Sequence, residues 1–162
     1  MERFETESLV FLPGQRVRAI VLSHAPWGVG VQIVGHEQVG ASVDMLAQFG
    51  QETPGDAVYA LFPPVGAEID AVVDAVRRWS DPAWVRLSLR PADLETFRRS
   101  CDFCGQDTVL SAGGDGLVLD VRSHDGPGSH TVLAHRTCLA DRLHPDSGGE
   151  QARALSVGRK NH

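Results

Sequence analysis

Three cysteines and a histidine fall into two pairs of equal spacing, Cys101 with Cys104 and His135 with Cys138, and they use every cysteine in the chain. Two ligands separated by two residues can reach one ion from a single tight turn. Two such pairs complete a tetrahedral shell of thiolate and imidazole donors, the set that zinc favours. Gly105, directly after the second cysteine, suits a knuckle in which the backbone folds under the sulfurs. An odd cysteine count speaks against disulfides, and no βαβ pattern surrounds the first pair as a thioredoxin-like redox motif would need. His124 and His130 are nearby alternatives to His135 as the fourth ligand. Four protein ligands leave no position for water or substrate, so the expected zinc is structural.

The elements before this cluster read as short strands. Gln15 to Ser23 starts with strict alternation that places Val17, Ala19 and Val21 on one face, and Val29 to Val34 is a second β-rich run. Ala41-Ser42-Val43 is a third. Glu68 to Val76 alternates again, with Ile69, Ala71, Val73 and Ala75 on one side, and Trp84 to Leu89 turns Val85, Leu87 and Leu89 inward. Five strands in under 80 residues, with no helix long enough for a parallel crossover, predict a small closed antiparallel barrel that hides their edges. Trp79 and Trp84 flank a turn and are expected to pack across strands. The apolar stretch from Ala60 to Val65 either caps the barrel or faces a partner.

Gly14-x-x-Val17, then Pro26-Trp27-Gly28-Val29-Gly30-Val31, Gly40, Val65-Gly66 and Val85-Arg86-Leu87-Ser88-Leu89-Arg90 together resemble the S1 RNA-binding domain, an OB-fold barrel, over about residues 13–92. The resemblance implies single-stranded RNA bound by aromatics on adjacent strands and by basic residues. Trp27 matches the first stacking aromatic. Gly30 stands where a second belongs, Val43 where a polar residue or histidine does, and Trp84 at the basic position opening the last strand, with Arg86 and Arg90 nearby. Arg98 and Arg99 add candidate contacts just beyond.

The remainder divides into a helical connector at 93–100, begun by Pro91, a zinc-binding finger at 101–145, and a flexible polar tail at 146–162. Thr108 to Ser111 and Leu117 to Val121, around a Gly-rich turn, read as a hairpin. Thr131 to Ala134 is a third strand, and Leu139 to Leu143 a helical turn. A knuckle, a hairpin and a last ligand pair at a helix start resemble treble-clef zinc fingers. The expected architecture is mainly β: a five-stranded, S1-like OB-fold barrel over 1–92, then a treble-clef-like finger.

Charge narrows the function. Residues 1–97 hold seven arginines against thirteen acids, a net of −6, whereas 98–162 are neutral. A zinc ion with three thiolates and a neutral histidine adds one further negative charge. Such a barrel is poorly suited to a polyanion by charge alone. Two readings follow: a nucleic-acid-binding accessory protein, or an acidic protein-interaction module, of adaptor or inhibitor and immunity type, whose barrel has lost RNA binding. No phosphate loop, nucleophile elbow or metalloprotease helix occurs, so no enzyme is expected. No apolar span suits a membrane, and the acidic start is unlike a secretory signal, which predicts a cytoplasmic protein.

Overall fold

The structure is a computed structural model that describes residues 11–50, 59–77, 84–126 and 128–143. Five strands close a barrel: β1 (Arg16–Ala25), β2 (Gly28–Ile33), β3 (Gly40–Asp44), β4 (Glu68–Arg77) and β5 (Trp84–Ser88), in the order β1-β2-β3-β5-β4 and back to β1. This is OB-like connectivity. Alternation fills the interior as expected, with Ala19, Val21, Val29, Ile33, Val43 and Leu87 essentially inaccessible. Phe11 closes the end at the β2–β3 turn, edge-on to His36 at 4.8 Å. Phe62 closes the other end, T-shaped against Phe49 at 5.1 Å.

Two details depart from simple alternation. The barrel is not wholly antiparallel, because β5 runs parallel to β3. That follows once β4 has crossed to pair with β1. The second departure is in β4, whose register with β5 slips between Val73 and Ala75. One residue is extra there, so Val76 rather than Ala75 packs on the core, and Asp74 is released from the ladder. Val72 is buried although it lies on the opposite face of β4 from Ala71 and Val73.

Helix α1 (Met45–Phe49) directly follows β3. Asp44 caps it by accepting from the backbone N–H groups of Leu46 and Ala47 at 2.9 and 3.1 Å, and Met45 and Phe49 pack on the core. The turn into β2 depends on Gly28, whose φ is +145°. A β-carbon there would lie 2.0 Å from the Val43 carbonyl oxygen. Gly28→Ala is therefore expected to destabilise the barrel by more than about 1 kcal/mol, read as a lower urea midpoint with an unchanged m-value.

The connector differs from expectation. Helix α2 covers only Pro91–Glu95, and Thr96 is already extended. Arg98–Ser100 is then a strand, β6, paired with β7 (Asp107–Val109). Tertiary contact outweighs the helix-like charge pattern, because Phe97 is buried and its carbonyl accepts from Leu110 N–H at 2.9 Å. The expected hairpin is also redistributed. Strand β7 turns back on β6 around the knuckle, whereas β8 (Gly116–Arg122) pairs over its whole length with β9 (Ser129–His135). Helix α3 (Arg136–Ala140) follows at once. Trp79 and the tail at 146–162 lie outside the described residues.

Candidate metal centre

The knuckle forms because the chain reverses between β6 and β7. Cys101 N–H donates to the Gln106 carbonyl and Gly105 N–H to the Cys101 carbonyl, each at 2.8 Å, with Gly105 at φ +73°. His135 ends β9 and Cys138 lies in the first turn of α3, which brings the second pair to the first. The four ligand atoms all lie within 4.8 Å of one another. Cys104 Sγ is 3.4 Å and Cys138 Sγ 3.6 Å from His135 Nδ1. A tetrahedral shell with thiolates about 2.3 Å from the ion has edges of roughly 3.7 Å, so the donors stand where one ion can be held.

The histidine is settled by its second nitrogen. Its Nε2 donates to the Asp107 carbonyl at 2.9 Å, leaving the Nδ1 lone pair toward the sulfurs. His130 is an exposed residue of β9, and His124 lies beyond the far end of the β8–β9 ladder. Neither belongs to the group of four.

Proton affinities reflect the crowding. Burial pushes the Cys101 thiol up, but backbone N–H groups of His135, Phe103 and Cys104 outweigh it and bring it down to about 6. The Asp107 carbonyl, with the sulfurs of Cys101 and Cys104, raises His135 to about 9 against the effect of burial. Burial and the same two sulfurs push Cys138 up to about 11. Electron-rich donors converging in so small a volume fit a bound cation that takes the place of their protons.

Outer contacts hold the donors in place. Asp102 accepts from Leu133 N–H at 2.6 Å and returns its own N–H to the Leu133 carbonyl at 2.8 Å, tying the knuckle to β9. Arg142 lies over the Phe103 ring at 4.8 Å and donates to the Cys138 carbonyl at 3.0 Å, tying it to α3. Asp115 accepts from Val109 N–H and from the buried Thr108 hydroxyl, and the Val109 bond leads in holding its carboxyl below the usual range. These supports carry no spacing signature, so sequence reasoning missed them.

The candidate nucleic-acid contacts have differing surroundings. Trp27 stands 50% exposed on the β1–β2 turn. Trp84 lies across Gly40 on the neighbouring strand and donates from Nε1 to Ser42 Oγ at 2.7 Å, the cross-strand packing expected of it. Arg86 is 2.6 Å from Asp74, and Arg99 bridges Asp74 and Asp93. Arg90 reaches Asp93 at 3.4 Å, while Arg98 is exposed. Arg90, Arg98 and Arg99 line one cavity of about 400 Å³, but Asp74, Asp93 and Asp107 line it too.

The Ala60–Val65 stretch is split between the barrel end and solvent. Phe62 is buried as a cap, while Leu61 and Val65 are exposed. Backbone bonds from Met45 to Trp27 and from Gly66 to Val21 gather Leu22, Trp27, Leu46, Leu61 and Val65 about this end of the barrel, each half or more exposed.

Fold and site together define a class: a closed, OB-like five-stranded barrel followed by a Cys3His group that can bind a metal ion. No protein-family model matches the chain, and no curated protein matches it. Among the described residues, no helix is long and apolar enough to cross a membrane.

Proposed function

We propose that this is a non-catalytic accessory protein that binds single-stranded nucleic acid on an S1-like barrel, with a treble-clef-like finger held by structural zinc. The observation that carries the nucleic-acid reading is Trp27, half exposed at the β1–β2 turn of an OB-like barrel, where a base can stack on its ring. Zinc is supported by three thiolates and one imidazole, a soft donor set of tetrahedral size. With all four positions taken by protein, the ion serves to hold backbone together, and Cys101, Cys104, His135 and Cys138 are its ligands.

A second reading has its own support. Arg86, Arg90 and Arg99 are engaged with carboxylates, and the apolar rim around Leu61 and Val65 is of the kind that meets another protein. The barrel is then an acidic protein-interaction module.

Titration of labelled single-stranded RNA by fluorescence anisotropy, at low and moderate salt, separates the two. Stacking is worth about 1–3 kcal/mol per base, so Trp27→Ala is expected to weaken binding by roughly 5–150-fold. No binding even at low salt removes the nucleic-acid reading. A stoichiometric protein recovered from native extract and lost in Leu61→Asp then supports the second.

A further inference from the structure

We infer that the metal centre and the barrel form one thermodynamic unit, coupled through Arg99, so that metal binding in the finger stabilises the barrel. This rests on the metal reading of the Cys/His group. Arg99 lies in β6, two residues before Cys101, yet its side chain leaves the β6–β7 sheet for the barrel. Its Nε donates to Asp74 Oδ1 at 3.1 Å, with Nη2 on the same oxygen, and its Nη1 donates to Asp93 Oδ1 at 3.1 Å. Asp74 is the residue that the β4 bulge frees from the ladder, and its other oxygen accepts from Arg86 of β5 at 2.6 Å. Asp93, 4% exposed, accepts from Ser88 at the end of β5 at 2.6 Å. One guanidinium thus joins the strand entering the metal knuckle to β4, β5 and α2.

The direction of coupling follows from the lengths involved. A three-residue β6–β7 ladder cannot hold its own geometry in water, so the position of Arg99 depends on the ion that fixes Cys101. When β6 loosens, two shielded carboxylates lose the cation between them. Coupling of this kind is reciprocal, so whatever metal adds to the barrel, the barrel returns as metal affinity.

The tryptophans make this measurable in the full chain. All three precede residue 90 and none lies in the finger, so tryptophan fluorescence follows the barrel. Cobalt(II), added to metal-free protein, reports the centre by its thiolate charge-transfer absorption. Chelation is expected to lower the barrel's melting midpoint by about 5 °C or more. In Arg99→Gln that shift should shrink to a small fraction, with cobalt affinity falling about tenfold. Asp74→Asn, which removes the barrel's half of the clamp, should diminish the shift in the same way, so the test does not depend on one variant folding. A barrel transition unmoved by chelation, or a shift undiminished in both variants, overturns the inference while the cobalt spectrum still upholds the metal site. Absence of that spectrum overturns the metal reading together with it.

Discussion

Removing the metal, or replacing Cys101 with serine, is expected to unfold the finger. Between Arg98 and Leu143 the described residues supply only Cys101, Thr108 and Ala134 as buried side chains, and the strands form two separate two-stranded sheets. Two-stranded sheets are marginal in water, and a core this small cannot offset the conformational entropy of about 45 ordered residues. Zinc in finger-sized sites supplies about 10–16 kcal/mol, and that binding energy is folding energy. Native protein should therefore carry one metal per chain by elemental analysis. With a chelator, or in Cys101→Ser, amide signals of β6 to α3 should collapse to the dispersion of an unfolded chain and proteolysis should begin within them. A finger that kept its dispersed spectrum without metal would contradict this account.

The second large effect is expected at Asp93. Its carboxylate is nearly inaccessible and holds Arg99, Arg90 and Ser88 together. Asp93→Ala leaves a partly buried guanidinium without that partner, a kind of loss that costs about 3–5 kcal/mol. Burial by itself would raise the Asp93 carboxyl, but hydrogen bonds from Arg99 and Ser88 and the positive charges of Arg99 and Arg90 outweigh it and hold the group below its ordinary range. The sign of the pH dependence follows. The contribution is complete above the unfolded value of about 4 and is lost as pH falls through the lower, folded value. Urea midpoints measured from neutral to acid pH should thus fall less steeply in Asp93→Asn than in the wild type. Equal slopes would show that folding does not lower the Asp93 pKa.

The barrel strands were legible because a wall that is wet outside and dry inside imposes a period of two, and Val17, Ala19 and Val21 display it openly. That signal fails where the backbone breaks step. Nothing local in Val73-Asp74-Ala75 announces the bulge, which depends on the strand opposite, and so the inward place of Val76 and the release of Asp74 were both hidden. In the finger the short runs carried no register. Thr108 and Val109 suit any partner strand, and they pair with β6 because the knuckle turns the chain straight back on itself. The arginines show the same limit. Their types suggested a polyanion surface, but Asp74, distant in sequence, and Asp93, only a few residues away, pair with them in space.

By itself the sequence determined the five barrel strands and the pairing of Cys101 and Cys104 with a later histidine and cysteine, because both are matters of residue type at short spacing. Only the tertiary structure decided which histidine turns its nitrogen to the sulfurs, how the finger strands pair, and that Arg86 and Arg99 answer carboxylates of the chain itself. Those outcomes depend on which distant groups come within a few ångströms, where Coulomb and hydrogen-bond energies become large enough to choose.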